Sequence, residues 1–221
     1  MSGDAAHSGG MSREVRDEDD TGSTAGGGAM SMRAAALVAA TATTGLMAGV
    51  FGLYAHTIMR GLGRTDDRTF VGAFQAIDRA IINPLFMLAF FGALVSGAVA
   101  TFLYVGDDDG SVLPWVAAGT VLYFLVVAIT VSVHLPLNDG IKAAGDPDAI
   151  DVAAARAAFS EGRWVAWNVV RVILNTVAFV VLLWALVLHG RATASESSGG
   201  APDGAPAAAE VRRPAREAAL R

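Results

Sequence analysis

The stretch PLFMLAFFGALVSGAVATFLYVGDDDGSVLPWVAAGTVLYFLVVAITVSVHLPL, residues 84–137, decides the fold. It contains two apolar runs, Pro84 to Val105 and Val112 to Leu137, parted by a short acidic turn with a glycine at either end, Gly106 and Gly110. Each run reaches the ~20 residues that a helix rising ~1.5 Å per residue needs to cross ~30 Å of hydrocarbon. Neither carries Asp, Glu, Lys or Arg. Two further runs flank them, Met32 to Ile58 and Val165 to Leu188. The sequence therefore predicts an all-α protein, a four-transmembrane-helix bundle with spans at about 32–58, 84–105, 112–137 and 165–188.

Composition agrees with that reading. Of 221 residues, 53% are hydrophobic, too apolar for an ordinary soluble domain. The first run lies too far from Met1 for a cleaved signal peptide. No cysteine is present, which removes disulfides, thiolate nucleophiles and cysteine-ligated metals. A net charge of −5, with Arg212, Arg213, Arg216 and Arg221 scattered among Ala, Pro and Glu, gives no case for nucleic acid. Residues 1–31 and 191–221 are Gly, Ser, Ala, Pro and charge without an apolar period, and are expected to be disordered tails around a membrane domain at 32–190.

The connectors are unequal. After Thr65, an expected N-cap followed by Asp66 and Asp67, the apolar residues Phe70, Phe74, Ile77 and Ile81 recur at i, i+4, i+7 and i+11 and predict an amphipathic helix. Asp146 as N-cap with Pro147 at the first helical position predicts a second one, ending near Gly162. Because successive spans alternate in direction, both helical connectors lie on one side and the acidic turn on the other. Arg60, Arg64, Arg68, Arg79, Lys142, Arg156 and Arg163 gather on the connector side, against Arg33 and Arg191 opposite. The expectation is a multi-pass protein of the cell membrane, with both termini on the same side and the connector side facing the cytoplasm.

Polar residues inside the spans collect at that connector side. Trp164, Asn168, Arg171 and Asn175 share one face of span four, and Thr130, His134 and Asn138 one face of span three, where Pro136 removes an N–H. Span one closes with Gly45, Gly49, Gly52 and His56, read as a small-residue seam packing within the bundle. Span two opens at Asn83-Pro84. The alternation of spans brings His56, Asn83, His134, Asn138, Asn168 and Arg171 to one membrane face. A charged residue well inside a span costs at least ~2.5–3.5 kcal/mol, so Arg171 should face the bundle interior or a wet cavity. Two histidines without a third ligand in register do not make a metal site. Asp78 is expected to pair with an arginine of its own helix. The alternative is that these Asn and His residues are interhelical ties worth ~0.6–2 kcal/mol each, with Trp164 and Trp167 as interfacial anchors.

Four segments carry a family resemblance: Gly45-Leu46-Met47-Ala48-Gly49-Val50-Phe51, Phe74-Gln75-Ala76-Ile77-Asp78-Arg79-Ala80-Ile81-Ile82-Asn83-Pro84, Pro136-Leu137-Asn138 and Trp164-Val165-Ala166-Trp167-Asn168-Val169-Val170-Arg171. In this order they resemble the anthrone oxygenase-like (DUF1772) membrane proteins over about residues 35–188. The family often has Asn four residues before the Asn of Pro-Leu-Asn, where this chain has His134. The resemblance implies a four-helix membrane bundle. It also implies the chemistry of the family's characterised members, which oxidise an anthrone to an anthraquinone with O2 and no metal or flavin cofactor. On that chemistry His56 or His134 is the candidate base, and Arg171 with Asn138 and Asn168 the candidate stabiliser of an enolate. Asn83, Asn138, Trp164 and Asn168 are then the candidate substrate-binding residues, and a small aromatic or lipophilic ligand is the expected partner beside the bilayer. The competing expectation is a membrane protein without catalysis, whose polar cluster ties helices or holds a lipid headgroup. A transporter is disfavoured, since there are neither broken spans nor paired acids.

Overall fold

The computed structural model of the chain describes residues 11–106 and 110–199. Among them the chain is helical throughout. Helix α1 (Met11–Leu53) runs through a π turn (Tyr54–Ile58) into α2 (Met59–Leu62), and α3 (Asp67–Ile81) follows. Helix α4 (Pro84–Tyr104) is the second span, and α5 (Leu113–Ile129) continues through a second π turn (Thr130–His134) into α6 (Leu135–Ala143). The short α7 (Val152–Phe159) precedes the long α8 (Glu161–Gly199). Four stretches are long and apolar enough to cross a membrane: Met32–Leu62, Pro84–Tyr104, Leu113–Ala143 and Val152–Ser195. Helix α1 extends N-terminally to Met11, and α8 to Gly199, into stretches that composition assigns to the tails. Adding residues to a helix already nucleated in a span costs far less than starting one. The expected turn at Asp107 to Asp109 lies outside the described residues; the flanking Gly106 and Gly110 both have positive φ, 85° and 58°, which glycine adopts without strain.

Around the bundle the order is α4, α1, α8, α5 and back to α4. Large apolar side chains point outward, among them Leu85, Leu88, Phe102, Val121, Phe124 and Ile173, while the inward faces mix small and polar residues with rings such as Phe51, Phe90 and Tyr123. This distribution suits a lipid solvent, where burying apolar surface gives no drive and close packing holds helices together. A Cβ on Gly45 would lie 2.7 Å from Phe179 Cε2, and one on Gly119 2.7 Å from Leu182 Cγ, so spans one and three approach span four through these glycines. The expected seam ends there, because a Cβ on Gly49 or Gly52 meets nothing within 4 Å. Both neighbours of α1 sit on its other faces, and small residues permit an approach only where a helix makes one. Asn175 Nδ2 donates to Thr44 O (3.3 Å) and Asn168 Nδ2 to Phe51 O (3.3 Å), pairing two asparagines seven residues apart on span four with two carbonyls seven apart on the antiparallel span one.

The connectors close the other end. Helix α3 is capped by Asp66 rather than Thr65: Asp66 accepts from Thr69 N (3.0 Å) and Thr69 Oγ1 (2.7 Å), while the Thr65 hydroxyl is committed to Leu62 O. These bonds, the hydroxyl's first, hold the Asp66 carboxyl below the usual carboxylate range. The second connector starts its helix at Asp151, which accepts from Ala154 N, and not at Asp146. Asp146 instead accepts from Asp148 N, closing a turn around Pro147, and α7 stops at Ser160 in the left-handed conformation. Arg156 ties the two connectors together, donating to Thr65 O and Asp67 Oδ1 (both 3.0 Å) and to Glu161 Oε2 (2.9 Å), with its guanidinium 4.2 Å from the Phe70 ring centroid. Arg68 pairs with Asp148 on the same surface. Gln75, fully buried, donates to Ile141 O (2.8 Å) and Gly145 O (3.0 Å) and fastens α3 to the end of α6. Phe70, Phe74, Phe159 and Trp164 fill the space beneath.

Candidate functional site

Under this cap lies a cavity of about 300 Å³, walled by Phe51 and Tyr54 of span one, Asp78 of α3, Phe86 and Phe90 of span two, Thr130, His134 and Asn138 of span three, and Trp164 and Arg171 of span four. Its size falls at the lower end of small-molecule sites, which are mostly apolar with a few convergent polar groups. The two π turns border it, one supplying Tyr54 and the other Thr130 and His134. Such turns recur at functional sites because the extra residue re-aims side chains that a regular helix would stack.

Arg171 is the centre of the wall. It is 5% exposed, and its Nη1 donates to Thr130 Oγ1 (3.0 Å) and its Nη2 to Asn168 Oδ1 (2.7 Å). Its guanidinium carbon lies 4.0 Å from the Phe51 ring centroid and 5.9 Å from that of Trp164. Among the described residues no carboxylate pairs with it, and its Nε is buried without a hydrogen-bond partner. A buried guanidinium held on neutral groups presents net positive charge to the cavity. His134 is 1% exposed, its ring edge-on to Trp164 at 5.0 Å; Nδ1 lies 3.5 Å from Ile129 O, and Nε2 is buried with no partner.

Asn138 and Asp78, by contrast, are engaged by the protein itself. Asn138 donates to Asp78 Oδ1 (2.6 Å) and accepts from Trp164 Nε1 (2.8 Å). Asp78 pairs with Lys142 at 2.8 Å, not with an arginine of its own helix. The reason is geometric: Asp78 lies eight residues after Phe70 and four after Phe74 on the buried face of α3, which faces α6, whereas Arg79 is exposed. Trp164, 2% exposed, is therefore a wall residue, and Trp167, 40% exposed, is the one facing outward.

Of the seven candidate residues the structure brings five together. His134, Asn138, Trp164 and Arg171 line the cavity, and Asn168 stands behind Arg171. His56 is exposed, its Nδ1 2.6 Å from the Thr57 hydroxyl, and does not border the cavity. It continues the outward stripe of Gly49 and Gly52. Asn83 is also outside: it caps α4, accepting from Phe86 N (3.0 Å) and donating to Ala80 O (3.1 Å). Tyr54 and Lys142 belong to the site or its frame without having been read as site residues, and Asp78, expected only to pair within its own helix, joins them. Only Asp78, on the i, i+4, i+8 face with Phe70 and Phe74, left a readable signal.

No curated protein matches the chain, and no solved structure does. The anthrone oxygenase family model matches residues 86–181, a segment that runs from Phe86 through His134, Asn138, Trp164, Asn168 and Arg171, so the walls from spans two, three and four fall within it and those from span one and α3 lie outside. With four helices able to cross a membrane, the chain carries an anthrone oxygenase-like family domain in a membrane protein.

Proposed function

We propose that the protein is a cofactor-independent oxygenase that takes a small, flat aromatic carbon acid into this cavity. The observation that carries the reading is Arg171, a buried cation with no carboxylate partner among the described residues and a free Nε in a largely aromatic pocket. An enolate formed there would meet a preorganised positive group whose Nη atoms are already held by Thr130 and Asn168. His134 Nε2 is the base that fits best, since the other histidine considered, His56, lies outside.

For an anthrone the steps balance as follows. His134 takes one proton from the ring CH2, leaving the electron pair in the enolate. The enolate carbon gives up electrons to O2 and forms a C–O bond, and the proton returns to the peroxide oxygen. Loss of water, with the second ring hydrogen leaving as the O–O bond breaks, yields the new carbonyl. O2 is the oxidant and one oxygen leaves as water.

The test is oxygen uptake with emodin anthrone by protein in lipid nanodiscs. Arg171→Met and His134→Gln should abolish most of the enzyme-dependent rate; variants that match wild type would sink the mechanism. Asn138 takes a different part. Because both its polar ends are used by Asp78 and Trp164, it acts with Lys142 as a structural tie, and Asn138→Leu should lower stability more than it changes turnover of the folded fraction. We further propose residence in the cell membrane with the capped end cytoplasmic, following the arginines of the two connectors.

A further inference from the structure

On the connector side the cavity is covered by aromatic rings and by the ties between α3, α6 and α7. Above it Phe74 lies 4.5 Å from Phe159 and 6.1 Å from Trp164, centroid to centroid. Buried Gln75, the Asp78–Lys142 pair and the Arg156 knot fasten α3, α6 and α7 over those rings. On another side the wall changes character. The cavity residues Ile82, Phe91, Val131 and Leu135 are 53%, 51%, 55% and 39% exposed, and all four are apolar. Ile82 lies just before span two and Phe91 two turns into it, while Val131 and Leu135 are one turn apart on span three, so Phe91, Val131 and Leu135 are exposed within stretches able to cross a membrane.

The two helices part at this level. Spans two and three are joined at Thr101 Oγ1 to Thr120 Oγ1 (3.1 Å) and at Tyr123 Oη to Phe90 O (2.8 Å). Beyond Tyr123, toward the π turn at Thr130–His134, the cavity lies between them. We infer that this gap is a lateral portal through which an uncharged, bilayer-dissolved aromatic ketone reaches Arg171 directly from the membrane. The inference rests on the proposal that the cavity holds an aromatic substrate and names how that substrate arrives. An apolar rim with a cationic floor selects for it: partitioning into lipid concentrates flat aromatics at the rim, and a carbonyl then finds its donor inside. A water-soluble anion would have to cross either the lipid or the aromatic cap.

The probe is benzophenone, an uncharged diaryl ketone that inserts into neighbouring C–H bonds under ultraviolet light, with its 4-sulfonate as the water-confined counterpart. In nanodiscs, brief exposure to benzophenone followed by illumination should crosslink it to the cavity segment around Phe51 and Tyr54, and the sulfonate should not. Plugging the rim with Val131→Trp and Leu135→Trp should remove those crosslinks while leaving crosslinks on the outer faces. The matched pair Val121→Trp and Phe124→Trp, lipid-facing but away from the cavity, should leave them in place. Should the plugged pair fail to fold, Val131→Phe alone gives the same comparison. Cavity labelling by the sulfonate equal to that by benzophenone, or unchanged labelling in the plugged protein, overturns the portal. If labelling follows the portal but emodin anthrone is not oxidised by wild type, the oxygenase reading falls and the portal stands; turnover without portal-dependent labelling overturns the portal and leaves the oxygenase standing.

Discussion

Replacing Arg171 by methionine separates a functional cation from a structural one. The change removes one interhelical hydrogen bond, to Thr130, of a kind worth about 0.6–1.7 kcal/mol in membrane proteins. It also leaves Asn168 Oδ1 without its donor, at a cost of about 1–3 kcal/mol. Thr130 itself stays satisfied, because its hydroxyl also bonds Val126 O. Against these losses stands the relief of no longer holding a charge inside a span, about 2.5–3.5 kcal/mol on insertion scales. The opposing effects overlap, so stability should change by less than about 2 kcal/mol in either direction. Turnover behaves otherwise: losing a preorganised donor to a developing oxyanion costs about 2.7–4 kcal/mol, or about 10²–10³ in rate. Thermal unfolding in nanodiscs and oxygen uptake with emodin anthrone, measured on the same preparation, read both quantities. A variant that unfolds well below wild type while its folded fraction keeps near-normal turnover would refute the reasoning and make Arg171 a helix tie.

Other perturbations follow from the same contacts. Asn168→Leu leaves the Arg171 charge in place but takes away its Nη2 acceptor, and should raise KM and lower kcat with a stability cost of about 1.5–3 kcal/mol, measured by kinetics and thermal shift together. Gly45→Ala sets a methyl 2.7 Å from the Phe179 ring and should destabilise by about 1–3 kcal/mol. Gly49→Ala, with open space around it, should stay within about 0.5 kcal/mol of wild type in the same unfolding assay. Arg156→Ala should loosen the cap and make the segment between α6 and α8 sensitive to protease before the spans unfold, detected by limited proteolysis. The lowered Asp66 carboxyl contributes its capping above the usual aspartate range and loses it as pH falls through the depressed value. Protection of the Thr69 amide, taken against the intrinsic exchange rate at each pH, should fall on that descent, and in Asp66→Ala it should be low at every pH.

Much of this was legible in the residues because bilayer thickness and helix rise leave few choices: four apolar runs gave four spans, and alternating direction put both connectors on one side. The faces of spans three and four were legible for the same reason. Trp164, Asn168, Arg171 and Asn175 are all buried, as polar groups spaced three and four apart must be when the other face meets lipid. His56 and Asn83 failed where depth was known but azimuth was not. Convergence at one membrane face places residues at a common height, and only the identity of each helix's neighbours says which of them turn inward. For His56 the guide was a glycine stripe, which permits close packing on either side of a helix and does not choose between them.

The roles inside the site were hidden for a different reason. An asparagine four residues from a histidine reads the same whether its amide is free for a ligand or bonded at both ends, as Asn138 is by Asp78 and Trp164. What decides is the number of donors and acceptors that the rest of the chain supplies, and that depends on α3 folding back over the bundle. Once Asp78 and Lys142 are brought to Asn138, the negative charge near the cavity is already matched. Arg171, the cation of the cavity wall, is left without a carboxylate among the described residues, held by neutral oxygens and by the faces of Phe51 and Trp164. A protein that needed only to tie its helices together could have used that same buried carboxylate to pair with Arg171. Committing it to Lys142 keeps the cavity electropositive, and an electropositive, aromatic, lipid-facing pocket suits a neutral ketone whose charge appears only during reaction.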